Sequence, residues 1–303
     1  MKKYVYPKFS KYDLGFVRFG GAGLGNLLFV FAYAIAFAEK NEAELIWPTW
    51  PSIKVGPWIR RERDKRFYAN LFKNDGSYIG GLQKAFILLF SKKSRVDNVD
   101  ITTMGEPGVV IYSGYKMHFG ELLNQREKIK KCFYAITNRK NLASLQHDFS
   151  NEINMHIRLG DFIKADITKL NAGDESVSTP ISWFVKVVRD VKGVLGESIR
   201  FNIFSDGTDE ELKELLDLDG VSRMSYGNAW ADIVGLAQSK VIIASGGSTF
   251  SMWARYLGNG ACITFTNQIR EHLCSRPDGF ELAYGLQDEL PEEIIFKLKK
   301  LYH

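Results

Sequence analysis

Residues 14–47 read LGFVRFGGAGLGNLLFVFAYAIAFAEKNEAELIW, and this stretch sets the expected architecture. Leu14 to Phe19 has the length and apolar content of a buried strand. The turn Gly20-Gly21-Ala22-Gly23-Leu24-Gly25-Asn26 follows. Leu27 to Lys40 is rich in Leu, Ala and Phe and is apolar on nearly every face, which predicts a buried helix. Ala43 to Trp47 predicts a second strand, stopped by Pro48. A strand–turn–helix–strand unit is the opening of an α/β architecture.

The same alternation continues along the chain. Val109 to Tyr112, Ile153 to Ile157, Arg200 to Ser205, Lys240 to Ala244 and Ala261 to Phe265 read as strands. Gly120 to Phe133, Trp183 to Val194, Asp209 to Leu216 and Trp230 to Gln238 read as helices, and Gly246-Gly247-Ser248-Thr249 opens another that runs to about Leu257. Strands alternating with helices predict a parallel sheet. The segment Leu82 to Phe90 is strongly apolar and is followed by Lys92-Lys93. It reads either as core or as an amphipathic helix on a membrane surface. A polar stretch near residues 140–152 marks the expected boundary, giving domains 1–148 and 149–303.

Composition narrows the class. The chain has 303 residues, 45% hydrophobic and 25% charged, which is globular usage. Its three cysteines, Cys132, Cys262 and Cys274, lie far apart, so neither a disulfide framework nor a structural zinc site is expected. No apolar run approaches the ~18 residues of a membrane span, and the N-terminus does not read as a signal peptide. These features predict a soluble, cytoplasmic protein. Residues 1–150 carry 24 Lys/Arg against 13 Asp/Glu, a net of +11, and residues 151–303 carry 16 against 22, a net of −6. A basic half suits an anionic substrate or an anionic membrane surface, or it is ordinary surface charge. No groove-reading motif accompanies it, so no nucleic-acid partner is expected.

The glycine turn fits none of the common nucleotide fingerprints. A phosphate loop needs Gly-Lys-Ser/Thr at the helix start, but Asn26-Leu27 follow Gly25. A dinucleotide fold needs Gly-x-Gly-x-x-Gly and an acid closing the second strand. Here the spacing is one residue short and the strand ends Leu45-Ile46-Trp47-Pro48. The spacing resembles Gly-x-Gly-x-Gly of methyltransferases, and the missing acid counts against those too. The turn is open to two readings: backbone N–H groups cradling an anion, or a tight turn with no ligand.

Ile153 to Phe162 is the most informative segment, a strand running into His156, Arg158 and Asp161. Ligands of open α/β sheets collect beyond the carboxyl ends of strands. An arginine there can hold a diphosphate bidentately, or an Arg158–Asp161 pair can brace a turn. Ser205-Asp206 ends a later strand in the same way, and Ser245-Gly246-Gly247-Ser248-Thr249-Phe250-Ser251 places small and hydroxyl residues at a third. An Asp-x-Asp, Asp217-Leu218-Asp219, follows a charged helix and reads as a solvated helix end rather than a metal site.

In order, Gly23-Leu24-Gly25-Asn26-Leu27-Leu28-Phe29, His156-Ile157-Arg158-Leu159-Gly160-Asp161, Phe204-Ser205-Asp206 and Ser248-Thr249-Phe250-Ser251-Met252-Trp253 resemble the motifs of the bacterial α-1,2-fucosyltransferases, which are related to α-1,6- and protein O-fucosyltransferases. The likeness spans about residues 15–260. The family's second arginine is Leu159 here, and the Gln that follows its Asn is Leu27.

The resemblance implies two facing Rossmann-like domains of the GT-B type with a cleft between them. It implies an inverting, metal-independent transfer of L-fucose from GDP-fucose, with no cofactor, to the 2-OH of a galactose-type residue in a cell-surface glycan or lipid-linked precursor. It places the catalytic roles on Arg158, Asn26 and Asp161. Donor contacts fall to His156, Arg158, Gly23, Gly25, Asn26, Ser205, Asp206, Ser248, Thr249 and Phe250. Arg158 would neutralise the diphosphate, and Asp206 would contact the guanine or ribose. Asp161 is the candidate base, or it orients Arg158. The basic N-terminal half would meet the inner membrane if the acceptor is lipid-linked. The alternatives are another nucleotide-sugar donor, or a degenerate protein that binds donor without turnover.

Overall fold

The computed structural model describes residues 2–59, 65–96, 108–114, 117–160, 162–174 and 176–302, the side chains of Pro57 and Trp58 excepted. The chain divides into two compact units, one ending at Leu142 and the other beginning at Ala143. Each is built on a parallel sheet, as the alternation of strands and helices predicts.

The N-terminal unit holds β1 (Lys3–Pro7), α1 (Leu24–Lys40), β2 (Glu44–Leu45), α2 (Gly81–Phe90), β3 (Lys93–Val96), β4 (Gly108–Tyr112) and α3 (Arg126–Ile136). The sheet runs β2-β1-β4-β3 with every pair parallel. Leu24 to Ala38 of α1 are buried apart from Asn26. A helix with no polar face needs cover on all sides, and α1 receives it from the sheet and from rings such as Phe119 and Trp50.

One expectation is corrected here. The strand before the glycine turn is only Arg18–Phe19, and it belongs to a small separate sheet with Tyr12–Asp13 and Ser52–Ile53. The central strand of the main sheet is Lys3–Pro7. Its lysine, its proline and its brevity disguise it, because only Val5, Tyr6 and Pro7 are buried.

The C-terminal unit holds β5 (Glu152–Ile157), α4 (Ile181–Leu195), β6 (Arg200–Ser205), β7 (Val221–Arg223), α5 (Ala229–Leu236), β8 (Val241–Ala244), α6 (Thr249–Gly258), β9 (Ala261–Thr264), β10 (Glu281–Ala283) and α7 (Glu292–Tyr302). The order is β7-β6-β5-β8-β9-β10, all parallel. Numbered from β5 as strand one, this is 3-2-1-4-5-6, the doubly wound dinucleotide order. Strand order reverses between β5 and β8, and ligands of such sheets bind in the crevice at that point. The core beneath comes from apolar runs such as Ile153, Met155 and Ile157 packed on Trp183, Val187 and Val191 of α4. The helix expected over Asp209–Leu216 is only Lys213–Leu216, preceded by turns in which Thr208 and Glu211 bond to each other and Asp209 pairs with Arg223.

α6 is fixed through its last turn. Buried Arg255 pairs with buried Glu281, whose two oxygens also accept from the Leu273 N–H at 2.9 and 3.0 Å. At its end, Gly258 passes so close to α5 that a Cβ would lie 2.0 Å from the Ala237 carbonyl oxygen. Gly258→Ala must push the two helices apart. Overpacking of this kind costs roughly 1–3 kcal/mol, so urea unfolding should show a lower midpoint for that variant. An unchanged midpoint would mean the contact is looser than drawn.

Among the described residues, no helix is long and apolar enough to cross a membrane.

Candidate functional site

The parallel register of the C-terminal sheet gathers three sequence motifs at one edge. His156 stands opposite Phe204 on one side and Ala244 on the other, and Ile157 stands opposite Ser205. The residues that continue β5, β6 and β8 therefore emerge together, and β5 and β8 flank the point where strand order reverses.

Arg158 leaves β5 between two neighbours. Its backbone N–H donates to Ser245 Oγ at 2.9 Å. Its guanidinium is ion-paired to Asp206, and its Cζ lies 5.7 Å from the Phe162 ring centroid. The Arg158 side chain keeps about a fifth of its surface exposed, so a ligand can reach it. Asp206 accepts from Arg158 through Oδ2 and from the Leu159 N–H through Oδ1 at 2.9 Å. Burial alone would raise the Asp206 pKa, but Arg158, the Leu159 and Gly160 N–H groups and His156 together hold it below the usual carboxylate range. Asp206 is thus engaged within the protein, and it orients the arginine. Gly160 is required by this approach, since a Cβ there would lie 2.5 Å from Asp206 Oδ2.

His156 is buried, with its ring stacked on Phe250 at 4.8 Å and 15° between planes. Burial drives its pKa down to about 3, with Asp206 opposing and Arg158 reinforcing the shift. The ring is neutral at neutral pH and can donate or accept one hydrogen bond at each nitrogen according to its tautomer. Its Nδ1 has no protein hydrogen-bond partner among the described residues.

Ser248 and Thr249 open α6 with no side chain capping its N–H groups and no acid in its first turn. Such a terminus favours an anion. Ser251 Oγ is turned inward to the Ser248 carbonyl at 3.0 Å, and Ser205 Oγ accepts from the Gly207 N–H at 3.0 Å. These two hydroxyls brace their turns. A small cavity lies here, lined by Ser245, Gly246, Ser248, Thr264, Gln268 and Arg270. Leu159, which stands where the family's second arginine would, packs against the hydrophobic core of the unit.

Gly23, Gly25 and Asn26 lie in the N-terminal unit, at the start of α1. Gly23 is its N-cap and no side chain caps the helix. Asn26 Oδ1 is buried with no protein hydrogen-bond partner among the described residues. The turn before it is held by Arg18, fully buried, whose Nε donates to the Thr49 carbonyl at 3.0 Å and Nη1 to the Gly20 carbonyl at 2.6 Å. Gly21 has φ +92° and passes within 2.6 Å of Arg18 Nη1 at the position of a Cβ, so no other residue fits. A recess of this unit, about 430 Å³, lies beside Glu39 and Glu44, towards the far end of α1 from this turn.

Asp161 lies outside the described residues. Sequence reasoning left Ser245 without a role of its own and missed Phe162 and Gln268. Gln268 sits in a loop with no motif, and only the tertiary contact with Gly246 brings it to the cavity. Asp217 pairs with Lys213 at 3.0 Å across one helical turn. Among the described residues, no group of three or more His, Cys, Asp or Glu side chains is placed to hold a metal ion.

The pKa of His156 makes a prediction about stability. Above pH 6.5 the ring is neutral in both folded and unfolded chains. As pH falls from 6.5 towards 3, the unfolded chain takes up a proton that the buried ring refuses. Stability then falls by at most about 1.4 kcal/mol per pH unit for one proton. Urea melts between pH 6.5 and 4.5 should show this slope in the wild type and a smaller slope in His156→Phe. Equal slopes would contradict the burial.

Comparison with known proteins agrees with this fold. The family model for glycosyl transferase family 11 matches residues 97–273. The fold is similar to NodZ alpha-1,6-fucosyltransferase soaked with GDP-fucose, with TM-score 0.55 and 14% identity over 88% of this chain and 95% of that one. It is similar to a FUT1 variant of Arabidopsis thaliana in complex with GDP, with TM-score 0.52 and 15% identity over 92% and 73%. It is also similar to POFUT1 in complex with GDP, with TM-score 0.52 and 12% identity over 93% and 98%. At these identities the likeness is one of fold. The sequence has no significant match among curated proteins.

Proposed function

Because the chain belongs to glycosyl transferase family 11, we propose that it transfers L-fucose from GDP-fucose to a glycan hydroxyl, with inversion and without a metal. The observation that carries this reading is Arg158, oriented by Asp206 and Ser245 and accessible beside the strand-order reversal of a dinucleotide-type sheet. The guanine nucleotide is favoured by the four motifs, and by structural neighbours that were crystallised with GDP or GDP-fucose. The 2-OH of a galactose-type residue is the acceptor the motif set favours.

In this reaction the acceptor oxygen attacks the anomeric carbon of fucose from the face opposite the phosphate. The bond from that carbon to the β-phosphate oxygen breaks, GDP leaves with the electron pair, and the acceptor proton passes to a base. Positive charge grows on the sugar, as in glycoside hydrolysis, and negative charge grows on the leaving diphosphate. Arg158 is the fixed cation for that growing charge. The N–H groups at the start of α6 add dipole stabilisation. His156, kept neutral, is suited to hydrogen bonding rather than to charge. Asp206 positions Arg158, and it is also the residue that the motif set assigns to the guanine or ribose. Asn26 offers its buried amide from the glycine turn. Asp161 is the candidate base.

A second reading is favoured by Leu159, whose packing into the core leaves one arginine where the family has two. On that reading the protein binds the donor without turning it over.

Losing one preorganised contact to developing charge costs about 2.7–4 kcal/mol. Arg158→Ala should therefore lower kcat/KM by ~100-fold or more, while the protein stays folded. Near-normal turnover in that variant would remove Arg158 from the mechanism. Donor binding by the wild type with neither transfer nor hydrolysis would favour the second reading.

A further inference from the structure

Helix α2 is built inside out. Its sequence, GLQKAFILLF, turns Lys84 and Ile87 inward, while Leu82, Ala85, Phe86, Leu89 and Phe90 face outward. Those positions follow i, i+3, i+4, i+7 and i+8, one continuous helical stripe. Leu82 is 91% exposed, Phe86 65%, Leu89 72% and Phe90 73%, and the rings of Phe86 and Phe90 lie 4.8 Å apart, tilted by 45°.

The helix cannot roll to hide this stripe. Lys84 Nζ donates to the Trp47 carbonyl at 2.7 Å and to Thr49 Oγ1 at 3.3 Å, and it lies 5.0 Å from the centroid of the Tyr6 ring. Ile87 packs with Tyr6, Ile46, Ile79 and Val109. Rotation would break the lysine's bonds, take that donor away from the buried Trp47 carbonyl and Thr49 hydroxyl, and withdraw Ile87 from its apolar cluster, which is costly.

A second apolar element adjoins the helix. The turn Leu14-Gly15-Phe16 passes α2 closely enough that a Cβ on Gly15 would lie 3.8 Å from Leu88 Cδ1. Leu14 and Phe16 are 59% and 76% exposed. Exposed apolar clusters of this kind mark interaction sites.

The charge beside the patch selects the partner. Lys92, Lys93 and Arg95 follow α2 directly and are exposed, and α2 itself contains no Asp or Glu. A second copy would set the same cations against each other, and β3, the edge strand that carries Lys93 and Arg95, is blunted by them against strand pairing. Anionic lipid headgroups complement these cations, and the acyl boundary accepts Leu and Phe side chains.

We propose that α2 and the Leu14–Phe16 turn lie in the surface of an anionic lipid bilayer, with Lys92, Lys93 and Arg95 at headgroup level. The docking is peripheral and independent of which sugar is transferred.

Full-length protein would be sedimented with vesicles of phosphatidylcholine and phosphatidylglycerol in equal parts, and with phosphatidylcholine alone, at 50 and 300 mM salt. The expected result is binding to the anionic vesicles that weakens with salt. A Phe86→Asp, Phe90→Asp variant should lose it. A Lys92→Gln, Lys93→Gln, Arg95→Gln variant should bind about 100-fold more weakly, at roughly fivefold per charge. Both variants should keep the wild-type melting temperature and any nucleotide-induced shift, which separates this proposal from the transfer reaction. No binding at low salt would overturn it. So would unaltered binding by the Phe variant, which would mean charge alone, or a Phe86-dependent dimer that ignores vesicles.

Discussion

The backbone ladder that holds β5 between β6 and β8 is the constraint on which the site depends. Parallel pairing with His156 opposite both Phe204 and Ala244 leaves three polar strand ends no choice but to emerge side by side. Arg158 then has Ser245 on one flank and Asp206 on the other. A slip of one residue would turn His156 and Arg158 together to the other face of the sheet, because side chains alternate along a strand. The apolar runs beneath, Ile153-Met155-Ile157 and Phe201-Ile203 among them, fix that register by what they bury.

Charge in this unit is managed by position rather than by sum. The C-terminal half is net acidic, yet its strand ends present an oriented arginine, an uncapped helix start and a neutral histidine. The buried Arg255–Glu281 pair holds α6 from behind, so the helix that opens at Ser248 is anchored before any ligand arrives. Preorganisation of this kind is what electrostatic catalysis needs, since donors already in place do not have to reorganise as charge develops. The cost is carried by close approaches at Gly160, Gly246 and Gly258, where a methyl group would collide with a carboxylate, an amide or a carbonyl.

Much of the C-terminal unit was legible in sequence because apolar residues recur along its strands, alternating in β5 and nearly continuous in β8 and β9, and β5 and β6 lead into polar residues. His156, Arg158, Asp206 and Ser248 could be picked out on that ground, and the structure brings them to one sheet edge. Their partners could not, because a partner is a tertiary fact. Asp206 stands 48 residues from Arg158, and Gln268 carries no motif at all. The N-terminal unit was harder to read. Its central strand hides between Lys3 and Pro7, and the residues before the glycine turn form a small side sheet. In α2 the composition is apolar almost throughout. Which face would be buried was settled by Lys84 finding a carbonyl and a hydroxyl inside the fold.

The central claim is that this sheet edge holds a guanosine diphosphate sugar through Arg158. A thermal-shift screen of the wild type with GDP, GDP-fucose, GDP-mannose, UDP-sugars, NAD and S-adenosylmethionine tests it most directly. Ligand at 100 times its dissociation constant adds about 2.7 kcal/mol of stability, enough to raise the melting temperature measurably. The account predicts a shift with GDP and GDP-fucose that UDP-sugars, NAD and S-adenosylmethionine do not produce. A shift with UDP-sugars or S-adenosylmethionine and none with guanine nucleotides would contradict it.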